Sequence, residues 1–259
     1  MKTENIKIKP QWHKSKEEIW DEVFSDLDEP KTVPKTSNFS FMKYAAAIII
    51  LVVAGGAFAY LHKTTEATPR GTHATIILPD GSSVKMNAES EVSYKPYWWF
   101  ISRKVELKGE AFFEVKPGSR FSVKSHPNEV SVLGTSFNIF ARSPKYSVTC
   151  LTGKVEVKAN NEKRTLTPNM QLNLRNGLLD VSENENTQQS IGWTQNKFSF
   201  IGVPLPDVIQ EIERQYNIHI TTSSNLDYLY TGNFSKEKNP EEVLEIIGKP
   251  FGIIFKIEP

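Results

Sequence analysis

The stretch YAAAIIILVVAGGAFAYL, residues 44–61, decides the architecture because it contains no charged residue and no proline. As an α-helix it extends about 27 Å, close to the hydrocarbon thickness of a bilayer. Eight of its residues are Ile, Leu, Val or Phe, which favours membrane insertion by about 2–5 kcal/mol. Tyr44 and Tyr60 stand near its two ends, where aromatic side chains collect at membrane interfaces. The stretch therefore predicts one membrane-spanning helix, residues 43–61.

Two other interpretations of this stretch, a buried core helix and a cleavable signal peptide, fit it less well. A buried core helix rarely remains apolar on every face over this length. A cleavable signal peptide is favoured by the small-x-small sequence of residues 57–59. However, 43 residues precede the apolar run, and the run itself is longer than the usual hydrophobic region of a signal peptide. Within about 15 residues of the span, the N-terminal side has three lysines (Lys31, Lys35 and Lys43), and the C-terminal side has Lys63 and Arg70. This difference weakly favours a cytoplasmic N-terminus.

The overall composition excludes several classes of protein. The 259 residues include 31 Lys and Arg against 30 Asp and Glu, a net charge of +1. A nucleic-acid binder that relies on a large basic face is therefore not expected. The single cysteine, Cys150, excludes an internal disulfide and any CxxC motif.

Residues 1–42 contain a short amphipathic helix. Ser15 and Glu18 have the S-x-x-E spacing of a capping box, and Pro30 ends the pattern. One apolar stripe follows at helical spacing, and acidic residues lie opposite it. The stripe is Ile19, Trp20, Val23, Phe24 and Leu27, and the acidic face includes Asp21, Glu22 and Asp26. So short a helix is marginal alone in water, so we expect a binding partner. A helix lying on the membrane surface is the alternative, but anionic lipids repel an acidic face.

The segment 71–182, which follows a predicted linker at 62–70, is rich in strand signals. Pro79-Asp80-Gly81 separates two apolar stretches and predicts a hairpin. Short β-branched and aromatic runs then repeat between Gly, Pro and Asn residues. This pattern predicts an all-β domain, built as a sandwich, a barrel or a short solenoid.

The segment 197–259 follows a second predicted linker at 183–196 and contains an internal repeat. Helical patterns at 205–216 and 240–248 superimpose with an offset of 35 residues. Strand patterns flank the first helix at 197–201 and 218–221 and the second at 228–234 and 252–257. Such a βαβ-like repeat predicts a small α+β domain with two helices packed on a short sheet.

The sequence shows no catalytic, metal-binding or cofactor-binding pattern. The five histidines are scattered, and phosphate-binding glycine motifs are missing. Cys150 lies in an apolar strand pattern and is expected to be a buried thiol. Glu106, Glu110 and Glu114 share a strand side, where carboxylates are usually solvated. The aromatic run at 97–100 is expected to pack in a core or an interface rather than to form a sugar platform, since consecutive strand residues face opposite ways. We expect no enzyme and no cofactor.

Four ordered motifs, at 78–90, 103–115, 121–140 and 148–157, resemble those of the FecR family of transmembrane anti-sigma factors. The stretch KFSFIGVPLPDVIQEIERQYNIHI, from residue 197, resembles the C-terminal domain of the branch common in Bacteroidetes, which is similar to the secretin and TonB short N-terminal domain. The longer Trp-rich N-terminal domain of many relatives is reduced here to about 42 residues. The family topology agrees with a cytoplasmic N-terminus.

The resemblance implies an inner-membrane regulator with periplasmic C-terminal domains. Its partners would be an extracytoplasmic-function sigma factor in the cytoplasm and the signalling domain of a TonB-dependent outer-membrane receptor in the periplasm. Sigma-factor contacts are assigned to the apolar stripe together with Asp21 and Glu22. Receptor contacts are expected at the strands of the C-terminal domain, at Phe198, Phe200, Tyr228, Tyr230 and Phe234. The alternative function is a membrane-anchored envelope scaffold or carbohydrate-binding module. In such a protein the apolar stripe at residues 19–27 would have no role.

Overall fold

The computed structural model describes residues 13–25, 39–175, 177–183 and 187–258. The chain divides after Val52 into two units, Met1–Val52 and Val53–Pro259. The described helices are α1 (Lys16–Phe24), α2 (Phe39–Leu61), α3 (Leu205–Tyr216) and α4 (Pro240–Gly248). The described strands are β1 (Thr64–Thr68), β2 (Ala74–Ile77), β3 (Ser83–Met86), β4 (Ser90–Tyr94), β5 (Arg103–Glu114), β6 (Phe121–Ser125), β7 (Asn128–Val132), β8 (Ser136–Arg142), β9 (Lys145–Cys150), β10 (Val155–Ala159), β11 (Glu162–Leu166), β12 (Met170–Arg175), β13 (Leu178–Glu183), β14 (Lys197–Pro204), β15 (His219–Thr221), β16 (Leu229–Ser235) and β17 (Lys256–Glu258).

Helix α1 begins with the predicted capping box. The Ser15 hydroxyl accepts from the backbone N–H of Glu18 at 3.2 Å, and the Glu18 carboxylate accepts from the backbone N–H of Ser15 at 2.8 Å. Two of the otherwise unpaired donors at the helix start are thereby satisfied, which fixes where the helix begins. The helix ends at Phe24. The predicted stripe residue Leu27 lies outside the described residues.

Helix α2 contains the apolar stretch and begins at Phe39, four residues before the predicted start of the span. In the described part of the chain, it is the one helix with the length and composition needed to cross a membrane. The large apolar side chains from Ile48 to Val53 are all more than half exposed, so α2 is not a core helix of the protein.

The β domain consists of a 13-stranded sheet folded into two parts that share β5. The first part contains β1, β4, β6, β7, β10 and β11, and the second contains β2, β3, β8, β9, β12 and β13. The apolar core contains Phe113, Phe121 and Phe137, all fully buried. The predicted linker at 62–70 is wrong for five residues, because β1 pairs with β4 from Thr64↔Tyr94 to Thr68↔Ser90.

Gly109 is the point at which β5 passes from the first part of the sheet to the second. Its φ is +89°, which lies in the region that glycine adopts without a steric cost. A Cβ at this position would lie 2.5 Å from the Ser90 Oγ and 2.7 Å from the Glu89 carbonyl oxygen. The Ser90 hydroxyl accepts a hydrogen bond from the backbone N–H of Glu110 at 3.0 Å. The close approach therefore also provides a partner for this N–H group at the bend in β5.

We expect Gly109→Ala to destabilise the β domain by about 3 kcal/mol, through both its positive φ and the contact with backbone atoms. Gly177→Ala is the matched control, since Gly177 has a φ of +77° and no atom within 4 Å of an added Cβ. The control should lose about 1 kcal/mol. Denaturant unfolding of the detergent-solubilised chain measures both losses. Equal losses would show that the close approach contributes nothing.

The C-terminal domain is a β-α-β-β-α-β arrangement in which the strands pair across the two halves. Strand β14 pairs antiparallel with β16, and β15 pairs antiparallel with β17. The predicted helices are confirmed, whereas the single short sheet is replaced by two two-stranded sheets. The predicted strand at 252–257 is reduced to Lys256–Glu258, with a left-handed Gly252 before it.

The second predicted linker, at 183–196, is wrong over most of its length. A 3-10 helix spans Thr187–Gln195, and it places Ile191 and Trp193 in the apolar core of the C-terminal domain. The polar composition of this segment favours a linker, so the sequence does not predict that these two residues are buried. Phe112 of β5 belongs to the same core, so the C-terminal domain covers part of the outer face of the β domain.

Candidate interaction surfaces

The apolar stripe of α1 is exposed along the helix. Trp20 is 62% exposed and Val23 is 60% exposed, and the rings of Trp20 and Phe24 lie with their centroids 4.3 Å apart. Together with Ile19 and the stems of two lysines, these side chains line a shallow depression of about 520 Å³. A helix whose apolar face is this open has no core of its own to stabilise it.

The acidic residues Asp21 and Glu22 lie away from the stripe and are also exposed. Lys14 forms an ion pair with Glu22 at 2.5 Å, and both side chains are more than half exposed, so the pair contributes little to stability. The helix thus combines an apolar face with an acidic one, as its sequence predicts. Both faces are open to a partner.

The five predicted receptor contacts in the C-terminal domain do not form one surface. Phe198, Tyr230 and Phe234 are buried in the domain core, which makes the prediction wrong for these side chains. Phe200 is half-buried against the same core. Tyr228 alone is substantially exposed, at 42%, and its ring stacks on Phe251. The strand pattern correctly located the strands but did not show which face the helices cover.

Strands β14 and β16 expose other side chains, on the face opposite the buried aromatic residues. Ile201 is 67% exposed and Leu229 is 66% exposed. Ile201 lies in a bulge between Phe200 and Val203, where the backbone N–H of Gly202 donates to the Thr231 hydroxyl at 2.9 Å. Neither strand pairs with a third strand among the described residues. The surface defined by Ile201, Leu229 and Thr231 is called the β14–β16 patch.

A groove of about 660 Å³ lies on another side of the C-terminal domain, between α4 and the chain from Gly252 to Ile257. It is lined by apolar side chains and by Glu241, Glu245 and Lys249, and the lining residue Ile254 is 79% exposed. The sequence pattern did not predict this groove, because it favours a strand over residues 252–257, whereas the strand is confined to Lys256–Glu258.

A buried polar network joins the C-terminal domain to the β domain. The Gln215 side chain of α3 is fully buried, and its amide donates to the Asn87 side-chain oxygen at 2.7 Å. The Asn87 amide donates in turn to the Glu110 carboxylate at 2.8 Å. The second Glu110 oxygen accepts from the Asn138 amide at 2.9 Å. Every link is a hydrogen bond between buried groups. Such a network fixes the position of the C-terminal domain on the β domain.

The same network includes His73 and an ion pair at its margin. His73 donates through Nε2 to the Gln215 side-chain oxygen at 2.9 Å, and burial lowers the pKa of His73 despite this bond. Arg214 of α3 donates to the Glu89 carboxylate at 3.0 Å. Burial alone would raise the pKa of Glu89, but the bond from Arg214 and the positive charges around it hold that pKa below its ordinary value. The backbone N–H of Gly71 donates to the Arg214 carbonyl at 2.8 Å.

Glu110 is the titratable group at the centre of this network. The prediction that it is solvated is wrong, since the C-terminal domain covers it and only 7% of it is exposed. Burial, reinforced by the nearby charge of Glu211, raises the pKa of Glu110 to about 7, although the two asparagine amides oppose the shift. The folded protein therefore binds a proton at a pH where the unfolded chain has released it.

This raised pKa predicts that the folded state loses stability as the pH rises from about 4.5 through 7. The sign follows from linkage, because the folded state binds more protons in that interval, and the full effect is about 3 kcal/mol. Glu110→Gln should flatten the dependence, with Asn138 turning its unpaired oxygen to the new amide. Glu106→Gln, at an exposed position in the same strand, is the control and should retain the slope. The pH dependence is measured from unfolding midpoints between pH 5 and 8. If the stability of Glu110→Gln falls with pH as steeply as that of the native chain, Glu110 is not the group responsible.

The described residues offer little to nucleophilic or metal chemistry. Cys150 is buried, as the sequence predicts, and burial raises the pKa of its thiol to about 11. No group of three His, Cys, Asp or Glu side chains within the described part of the chain is placed to hold a metal ion.

Comparisons with known proteins match the β domain and the C-terminal domain. The model of the family described as FecR protein matches residues 64–156, and that described as FecR, C-terminal, matches residues 197–259. Two crystal structures of a candidate anti-sigma factor from Parabacteroides distasonis ATCC 8503 are similar, at 32% identity and TM-scores of 0.71 and 0.70. Each similarity covers 76% of this chain and 95% of the solved one. None of the curated proteins matches.

Proposed function

The chain belongs to the FecR family of anti-sigma factors, and from this premise we propose that it is a single-pass inner-membrane regulator of an extracytoplasmic-function sigma factor. Its signal comes from a TonB-dependent receptor of the outer membrane. The observation that carries the proposal is the exposed apolar stripe of α1 on a chain that also has a membrane-length helix and an FecR domain. The protein acts by binding rather than by catalysis.

In the cytoplasm, the stripe of α1 fills a groove on the sigma factor. A short amphipathic helix that enters an apolar groove is a common recognition mode, with anchors at i, i+3 and i+4. The residues in the described part that supply the anchors are Ile19, Trp20, Val23 and Phe24. Asp21 and Glu22 face the basic surface that a sigma factor otherwise presents to promoter DNA. Binding through the acidic face thus competes with DNA.

In the periplasm, the receptor's signalling domain docks on the β14–β16 patch. Its exposed apolar side chains suit a docking partner, and its two strands pair with no third strand in the described part of the chain. Both features suit strand addition, in which main-chain hydrogen bonds provide affinity. The network through Gln215, Asn87 and Glu110 supports a path from this domain to the β domain. Strand β1 connects the β domain directly to α2, since only His62 and Lys63 separate them.

The topology is tested by fusing alkaline phosphatase after Pro259, which leaves the fold of the chain complete. The proposal predicts an active phosphatase, resistance of the protein to carbonate extraction, and no fluorescence from a matched fusion to a fluorescent protein that folds only in the cytoplasm. A soluble product starting near Tyr60 would contradict it and would indicate a signal peptide. A fluorescent and inactive pair would indicate the reverse orientation.

A further inference from the structure

The loop between β4 and β5, residues 95–102, contains an aromatic run that the proposed function does not use. Trp99 is 3% exposed and packs edge-on against Tyr94 and Phe121, so it anchors the loop in the core of the β domain. The prediction of core packing is confirmed for Trp99. Phe100 is 96% exposed and Ile101 is 69% exposed, which places two large apolar side chains at the tip of the loop.

The other two rings of the run contact the end of α2. The ring centroid of Tyr97 lies 6.0 Å from that of Phe58 and 5.0 Å from that of His62. Trp98 meets Tyr60 edge-on at 5.3 Å, and the Lys95 ammonium lies 3.7 Å from the Tyr60 ring centroid. The loop is therefore fixed beside the last turn of the apolar helix.

The chain between α2 and the β domain is too short to lift this loop away from a membrane. Leu61 ends α2 and Thr64 begins β1. These three steps reach at most about 11 Å, little more than the headgroup layer of about 5–8 Å on each side of the hydrocarbon core. The contacts of Tyr97 and Trp98 with α2 hold the loop in that layer.

We propose that residues 97–101 form a membrane-inserted loop, with Phe100 and Ile101 entering the acyl region of the leaflet in which α2 ends. This inference rests on the membrane anchoring of the proposed function. A lipid leaflet is the occupant because the loop continues the surface of α2 through three ring–ring contacts. The Lys95 ammonium, which lies over the Tyr60 ring, is at the level at which lysine side chains reach lipid phosphates. The loop would fix the β domain against the membrane at a second point.

The test uses the full chain, reconstituted in vesicles of phosphatidylethanolamine and phosphatidylglycerol. A fluorescent NBD group is attached to Phe100→Cys, a position whose exposure means that no packing is lost. The native Cys150 should not react, because it is buried and its thiol pKa is about 11. Leu178→Cys is the control, since Leu178 is 76% exposed and is the first residue of β13. The preceding carbonyl, that of Gly177, accepts from Asn160 after β10, at the end of the sheet opposite the 95–102 loop. Ile49→Cys, in the middle of α2, reports whether the helix is inserted at all.

Lipids that carry a quenching doxyl group on the acyl chain should quench the probe at position 100 several-fold more than the probe at position 178. Strong quenching at position 49 with equally weak quenching at positions 100 and 178 would overturn the inference and leave the anchor intact. No quenching at position 49 would overturn the anchor and the inference with it. A blue-shifted but unquenched probe at position 100 would show that protein, not lipid, covers the loop, and would also overturn the inference.

Discussion

Trp20→Ala combined with Phe24→Ala is expected to release the sigma factor and raise its target transcripts without changing the amount of protein in the membrane. Both side chains are exposed in the chain itself, so their loss removes no core packing. Burial of about 300 Å² of apolar surface in a partner groove would contribute roughly 7 kcal/mol before ordering costs. Loss of two central anchors should weaken binding by about 3 kcal/mol or more, roughly a hundredfold. Titration of the purified sigma factor with the full chain in nanodiscs measures the change.

The matched control is Trp20→Phe combined with Phe24→Leu, which retains apolar side chains at both positions. It should keep most of the repression. Ser15→Ala is a second control, since it removes the N-terminal cap and weakens the helix by about 1 kcal/mol. Unchanged sigma binding by the double alanine variant would remove the stripe from the mechanism.

The second large effect is expected at the β14–β16 patch. Ile201→Asp combined with Leu229→Asp should reduce binding of the receptor's signalling domain about 30-fold or more, because each carboxylate would lie unpaired in the interface. Induction of the target genes should fall with it. Both side chains are about two-thirds exposed, so the variant should fold normally. Binding of the purified signalling domain to the full chain in nanodiscs provides the measurement.

Ile254→Asp is the control in the same domain, since Ile254 is 79% exposed beside the α4 groove rather than on the patch. It should leave receptor binding unchanged. If Ile254→Asp abolishes binding and the patch variant binds normally, the groove is the docking site and the assignment to β14 and β16 is wrong.

The features that the sequence predicts well depend on local periodicity. The capping box at Ser15, the apolar run from Tyr44 to Leu61 and helices α3 and α4 are each encoded within about twenty residues. The hairpin at Pro79-Asp80-Gly81 belongs to the same class, since β2 and β3 pair on either side of it. In all these cases the pattern of side chains and the turn residues agree, so no distant contact is needed to decide the structure.

The features that the sequence does not predict depend on how one domain covers another. The sequence pattern predicts a solvated Glu110, but its carboxylate is buried beside Asn87 and Asn138, and Asn87 in turn is bonded to Gln215 of α3. Ile191 and Trp193 are concealed in a polar segment that becomes part of a core. The sequence predicts strands where β14 and β16 lie, but Phe198 and Tyr230 face the helices rather than the solvent. Alternating side chains give a strand two faces, but the tertiary packing determines which of the two faces is buried.

The most direct test of the central claim is whether residues 1–43 alone bind and restrain a sigma factor. This segment, fused to a soluble carrier, is expected to bind a purified extracytoplasmic-function sigma factor from the same cell, to gain helix content on binding and to block transcription by that factor. The same chain without residues 1–25 should bind none. Retention of the sigma factor by the truncated chain, or its failure to bind the 1–43 fusion, would contradict the account.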